Sequence, residues 1–358
     1  MKILYGVQGT GNGHISRASA MFEAFKQYPD LEIDWLLSGR DKARGCGAIE
    51  NFLWREGLTF IASAGKISAL QTLKKNNLWQ FYQDVRNLDL SPYDMVISDF
   101  EPVISHAARK QNIPLTGIGH QYAFKYPIPK SGANPLVNFI MNSYAPVSNP
   151  VGLHWHHFNA PILPPILDIE LPELMPAPRD SKVIIYLPFE NIQQILEILR
   201  PLTNHEFYIY HPDFDSDLDE GHLHCRAISR AGFKQDLLDA QQVISNSGFE
   251  LISECLQIGK NILSKPLQGQ MEQLSNAKAL EVLGYAEVMY KLDKAHISAW
   301  LEKTKSPVQV TYPNVAARLA EWIAGGCTEN TETLADELWQ SPPGTASFAS
   351  DRVQSSAS

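Results

Sequence analysis

Short apolar runs alternate with helix-period segments along most of this 358-residue chain, and one dense cluster of prolines interrupts them. Residues 2–7 read as a buried strand, 15–28 as a helix stopped by Pro29, and 31–37 as a second strand. Residues 93–98 read as a strand, 102–111 as a helix and 115–118 as a strand again. Repeated strand–helix–strand units need a parallel sheet covered on both faces, so a doubly wound α/β domain is expected. The stretch 160–180 then carries Pro161, Pro164, Pro165, Pro172, Pro176 and Pro178, a density that excludes a regular helix. Beyond it the alternation resumes: strand 182–187, helix 192–199, strand 206–210, helix 233–240, strand 242–245, helix 249–258, strand 261–263.

The expected architecture is therefore two Rossmann-like α/β domains facing a cleft, which suits the chain length at about 150 residues per domain. The boundaries are set at 1–160 for the first domain, 161–180 for the linker and 181–327 for the second domain. A last helix at about 312–324 is expected to pack back on the first domain. The tail 328–358 is rich in Ser, Thr, Ala, Pro, Gly and acidic residues, and no fixed structure is expected there beyond a turn or two near 332–339. The net charge of −9 argues against a nucleic-acid partner. The four cysteines include no Cys-x-x-Cys pair, no apolar run approaches a membrane span, and the first residues lack the features of a signal peptide. A cytoplasmic protein with reduced thiols is expected.

The first strand runs into Gly6-Val-Gln-Gly9-Thr10-Gly11-Asn12-Gly13-His14, which opens a helix. The spacing departs from the dinucleotide fingerprint, and no Lys-Ser/Thr follows to make a triphosphate loop. Gly11 and Gly13 leave backbone N–H groups at a helix start, where an anion or a developing oxyanion is stabilised. His14 can take a proton from a hydroxyl if a carboxylate orients its ring. Asp99 is the candidate, because it ends a strand and strand C-termini share one edge of such sheets. A helix cap before 101–110 is its competing role.

In the second half, a strand enters Asn246-Ser247-Gly248 and then a helix whose first amides can hold a diphosphate. Glu254 lies two turns into that helix and offers two acceptor oxygens to a ribose diol. Glu272 and Gln273 begin another helix, with Asn276 one turn on. This stretch resembles the donor-binding signature of GT-B glycosyltransferases, among them the UDP-glycosyltransferases and the transferase that adds N-acetylglucosamine to lipid-linked muramyl-peptide. Their pattern runs strand-Ser-x-Gly-Gly/Ala, Glu, Gly-x-Pro, Pro, Asp/Glu-Gln-x-x-Asn-Ala, Gly. The Gly9–His14 loop is similar to their Gly-Thr-Gly-Gly-His loop, and the resemblance spans Met1 to Trp322. The run Ser98-Asp99-Phe100-Glu101-Pro102 is similar to that of a bacterial and archaeal branch. Phe249 stands where a second glycine is common, Lys260-Asn261 replaces the Gly-x-Pro step, and Glu272 replaces an aspartate.

The resemblance implies His14 as general base and Asp99 as its orienting acid. It implies Ser247 and Gly248 at the diphosphate, Glu254 at the ribose, and Glu272 with Gln273 at the donor sugar, Gln270 competing for that contact. Phe233 is expected on a loop beside the nucleotide base. The implied reaction is inverting transfer from a nucleotide-sugar, UDP-linked, to a hydroxyl acceptor of lipid or glycan type, with no metal and no further cofactor. A nucleotide-sugar epimerase or hydrolase, or a non-enzymatic sensor, are the alternatives on the same fold.

Three further segments invite a functional reading. His154, His156 and His157 lie too close along a strand for one ion. The string Asp213-x-Asp215-x-Asp217-x-Asp219 lacks the glycine and glutamate of a calcium loop, and His222, His224 and Cys225 beside it are weak zinc candidates. Lys74 and Lys75, with Leu73, Leu78, Trp79, Phe81 and Tyr82, make a patch that suits an amphiphilic acceptor or peripheral contact with the inner membrane face.

Overall fold

The computed structural model describes residues 1–340, except 61, 64, 68–71, 73, 134, 169–175 and 304–305. The first half contains strands β1 (Lys2–Gln8), β2 (Glu32–Ser38), β3 (Leu53–Trp54), the hairpin β4 (Ala62–Ser63) and β5 (Lys66–Ile67), β6 (Met95–Asp99), β7 (Thr116–Gly119), β8 (Asn149–Leu153) and β9 (Ile162–Leu163). Its helices are α1 (Gly13–Phe25), α2 (Leu78–Asn87), α3 (Pro102–Gln111), α4 (His120–Ala123) and α5 (Pro135–Tyr144). The second half contains β10 (Arg179–Tyr186), β11 (Glu206–Tyr210), β12 (Leu218–Glu220), β13 (Leu223–Arg226), β14 (Ala240–Asn246), β15 (Asn261–Lys265) and β16 (Glu287–Val288). Its helices are α6 (Ile192–Leu199), α7 (Arg230–Asp239), α8 (Phe249–Gln257), α9 (Met271–Leu283), α10 (Lys294–Leu301), α11 (Val315–Ala324) and α12 (Thr331–Gln340).

Each half is built on a seven-stranded sheet. The first is ordered β3-β2-β1-β6-β7-β8-β9, and its paired strands all run parallel. The second is ordered β12-β13-β11-β10-β14-β15-β16, and only β12 runs antiparallel to its neighbour. The strand order reverses between β1 and β6 in one sheet and between β10 and β14 in the other. Those are the switch points where open α/β sheets leave a crevice at the strand C-termini.

One apolar cluster runs through both halves, from Ile3 and Tyr5 to Phe249 and Leu338. α11 packs against α1. β9 fits inside the proline-rich stretch because Pro161 and Pro164 flank its two residues and it pairs with β8 at the sheet edge. The expected unstructured tail is corrected for its first part: residues 331–340 form α12, with Leu334, Ala335 and Leu338 buried. Trp339 Nε1 donates to Ile162 O at 2.6 Å, so the helix is fastened to the edge strand β9. Residues 341–358 lie outside the described residues. Among the described residues no helix is long and apolar enough to cross a membrane.

The histidine run serves a turn. The Nδ1 atoms of His154, His156 and His157 accept from the backbone N–H of Trp155, Phe158 and Asn159, at 2.8, 2.9 and 3.0 Å. Phe158 and Asn159 hold positive φ, which those acceptors support. In the acidic string, Asp219 accepts from Arg226 Nη1 at 2.7 Å and faces His224, while Asp217 accepts from Ala227 N.

Candidate active site

β1 and β6 pair in register, with Val7 opposite Asp99, so the chain leaves β1 beside the Asp99 carboxylate. Gly11 turns it at φ +81°, and α1 begins at Gly13. His14 Nδ1 then lies 2.8 Å from Asp99 Oδ1. The ring keeps 11% of its side chain accessible, whereas Asp99 is buried. Asp99 is free for this contact because the cap of α3 falls to Glu101, whose carboxylate accepts from Val103 N and Ile104 N at 2.8 and 2.6 Å. Phe100, at φ +53°, makes the sharp step between the two acids, and its ring stacks on Tyr144.

Burial alone would raise the Asp99 carboxyl, but Arg17 and His14 beside it hold it below its ordinary value. Among the described residues Glu101 has no such cation. Burial pushes it up to about 7, although Ser38 Oγ and two backbone N–H groups favour its charge.

The second switch point presents a helix end. Ser247 Oγ is 2.7 Å from Ser264 Oγ, and Ser247 N donates to Lys265 O, so this residue shapes the loop and its backbone donor is spent. Gly248 caps α8 without a side-chain bond, and a Cβ on it would meet nothing within 4 Å. The start of α8 is thus left without a side-chain cap and with open space beside Gly248, an arrangement suited to holding an anion. Glu250, in that turn, reaches across to α1, where its carboxylate ion-pairs with Arg17 Nη1 and crowds the Cα of Gly13. The two helix N-termini thus meet.

The family model described as Glycosyl transferase family 1 matches residues 1–305. The chain belongs to glycosyl transferase family 1. Its fold is GT-B, as in solved glycosyltransferases of low sequence identity. Spinosyn rhamnosyltransferase SpnG is 12% identical with a TM-score of 0.57, over 95% of this chain and 100% of that one. The Streptomyces sp. SF2575 glycosyltransferase SsfS6 is 14% identical with a TM-score of 0.51, over 96% and 97%. SsfS6 complexed with thymidine diphosphate matches over 95% and 100%, at 11% identity and a TM-score of 0.52. No curated protein matches the sequence.

In this glycosyltransferase the remaining expected residues fall into two groups. Glu254 is buried on α8, facing the Lys234 and Arg230 charges of α7. Burial pushes its carboxyl up to about 7, against those two cations. Both cations also meet Asp168, which ties the chain ahead of β10 to α7. Phe233 is not on a loop. Ser229 caps a helix that starts earlier than expected, and Phe233 packs inside α7 against Tyr186 and Tyr210.

Residues at the start of α9 join the halves. Glu272 accepts from Gln121 Nε2 at 3.1 Å, and Asn276 Oδ1 is 2.7 Å from His120 Nε2. Gln273 Oε1 accepts from Leu267 N, which closes the turn before α9. Among the described residues, Gln270 Oε1 and Gln121 Oε1 are buried without a hydrogen-bond partner. His120 stacks on Phe249 with ring centroids 4.0 Å apart, and Trp155 Nε1 donates to Ser253 Oγ at 2.8 Å. Phe249, the departure from the glycine of the signature, is therefore an interface residue. Arg17, Glu250, His120, Gln121 and Trp155 were not expected from sequence. The sequence shows Arg17 three residues after His14, but only the structure shows it to be buried.

Proposed function

We propose that this glycosyltransferase moves a sugar from a UDP-sugar to an acceptor hydroxyl, with His14 as base and inversion at the anomeric carbon. The observation that carries the reading is the meeting of the His14–Asp99 pair with the open N-terminus of α8, through Glu250. In the proposed step His14 takes the acceptor's proton and the acceptor oxygen forms a bond to the anomeric carbon. The bond from that carbon to the diphosphate breaks on the opposite side, and the α8 amides receive the charge on the leaving group. One displacement inverts the centre. Because helix dipole and amides carry that charge, the scheme asks for no cation. Glu254 is assigned to the ribose, and Glu272 with Gln270 to the donor sugar.

The first half supports an amphiphilic acceptor. Trp79 and Tyr82 on α2 and Phe139 and Ile140 on α5 are exposed. His106 of α3 lies between these helices, edge-on to Phe81 and 3.1 Å from Ser143 O. Lys74 and Lys75 are exposed just before α2, and residues 57–83 and 102–167 contain no Asp or Glu. An apolar face with basic flanks suits a lipid-linked acceptor at an anionic surface.

The test is UDP release from a UDP-sugar panel, with and without a lipid extract, for wild type, His14→Ala and Asp99→Asn. His14→Ala should lose a factor of ~10²–10⁴ in turnover with unchanged UDP affinity, and Asp99→Asn should lose less. Near wild-type turnover in His14→Ala would refute the base. Release that is equal without any acceptor would favour a hydrolase.

A further inference from the structure

Arg17 lies one turn after His14 on α1, with 2% of its side chain exposed. A buried guanidinium requires carboxylate partners, and Arg17 has one from each half of the chain. Its Nε donates to Asp99 Oδ2 at 3.0 Å and its Nη2 to Asp99 Oδ1 at 2.6 Å. Its Nη1 pairs with Glu250 on α8. Nη2 also lies 2.8 Å from His14 Nδ1, so Arg17 and Asp99 compete for that ring nitrogen.

The competition has a chemical consequence. Asp99 Oδ1 is an acceptor and favours a proton on Nδ1, which leaves Nε2 with the lone pair a base needs. Arg17 is a donor and favours the other tautomer, and its charge opposes the imidazolium that forms when the base takes a proton. How strongly Arg17 does so depends on how much of its charge is neutralised, and Glu250 neutralises it from the donor-side helix.

We propose that Arg17 is a positioning residue for His14 and that Glu250 sets the strength of its effect. The anion-binding end of α8 is thereby coupled to the base through the row Glu250, Arg17, Asp99, His14. This rests on the reading of His14 as the base. With Glu250 on Nη1, Asp99 retains its hold on Nδ1 and the imidazolium is stabilised. With Glu250 removed, the guanidinium charge falls on Asp99 and His14, and basicity drops.

Among the described residues, the other titratable groups facing the row are Tyr5 on β1, Cys46, and Tyr122 and His120 on α4, with Glu272 of α9 facing His120. Burial pushes the Tyr5 and Tyr122 phenols up and the Cys46 thiol up to about 12, and it pushes His120 down. These four keep their neutral forms around pH 7. Glu272 faces His120 and accepts from Gln121.

The experiment is an NMR titration of the His14 imidazole in the full chain, its signal assigned by its loss in His14→Ala. Glu250→Gln should lower the His14 midpoint by about half to one pH unit, and Arg17→Gln should raise it by about one unit. Arg17→Lys keeps the charge but not the fork, and should return the midpoint toward wild type. A role in packing alone would not move the two midpoints in opposite directions. Should the Arg17 variants fail to fold, Glu250→Gln decides, since it is isosteric at a side chain that is 16% exposed. A Glu250→Gln midpoint within about 0.2 units of wild type overturns the proposal. Turnover of the same variants separates the two readings. Persisting turnover in His14→Ala removes the base. Its loss there, with an unmoved midpoint in Glu250→Gln, removes only the coupling.

Discussion

Replacing Glu254 with glutamine should weaken UDP binding and, more tellingly, remove a pH dependence from it. Burial on α8 raises the Glu254 carboxyl from its ordinary 4.5 to about 7. That is roughly two and a half pH units, or about 3 kcal/mol at 1.36 kcal/mol per unit, as the cost of holding the charge in the donor-free site. Ribose hydroxyls donate to the ionised carboxylate, so UDP binding requires the proton to leave. The sign follows: affinity is full above pH 7 and falls as pH drops through 7. The ionised fraction goes from about 0.9 at pH 8 to about 0.1 at pH 6, so wild-type affinity should fall about tenfold over that range. At pH 8, Glu254→Gln should cost about 1.5–3 kcal/mol, the worth of hydrogen bonds to a charged group. Calorimetric titration of UDP at pH 8, 7 and 6 measures both, and the variant subtracts the titration of the phosphate itself. Equal affinity of variant and wild type at pH 8, or parallel pH dependence in the two, would refute the placement of the ribose at Glu254.

Stability at Glu101 runs the opposite way with pH, because its raised carboxyl binds its proton more tightly in the native than in the unfolded chain. Stability should fall as pH rises from about 4.5 to about 7, by up to about 3 kcal/mol, and urea unfolding of Glu101→Gln should lack that fall. Turnover should survive EDTA; loss on chelation that manganese or magnesium restores would show that the leaving diphosphate needs a cation. Leu338→Ala on α12 should cost about 2–5 kcal/mol in urea unfolding, and a change below 0.5 kcal/mol would show that the helix contributes no packing. Trp79→Ser with Tyr82→Ser should weaken sedimentation with anionic phospholipid vesicles, while an unchanged bound fraction would exclude that face.

The alternation of periods fixed what could be read locally. Residues 192–199 and 206–210 were expected as helix and strand with the bounds that α6 and β11 have, because Ile/Leu spacing in one and aromatic/Ile content in the other leave little choice of period. The pairing of His14 with Asp99 was legible because Asp99 ends a strand, His14 opens the helix after the neighbouring strand, and strand ends gather at one sheet edge. Of the helix at 331–340 only a turn or two near 332–339 was legible. Its Thr, Glu and Asp resemble a solvated tail, and only the fit of Leu334 and Leu338 into a core supplied by distant residues makes a helix there worth its ordering entropy.

Contacts between the halves were closed to sequence reasoning for a related reason. Phe249 and Glu272 read as substitutions in a donor signature, yet each finds its partner on α4, at His120 and at Gln121. Arg17 is the clearest case. In the sequence it is one more charge on a helix, with nothing to say whether water or carboxylates receive it. Apolar period decides which face of a helix is covered, whatever covers it. A buried charge is tolerated only where its counter-charges arrive, and Asp99 on β6 and Glu250 on α8 reach Arg17 from separate halves of the chain, which only the tertiary structure brings together.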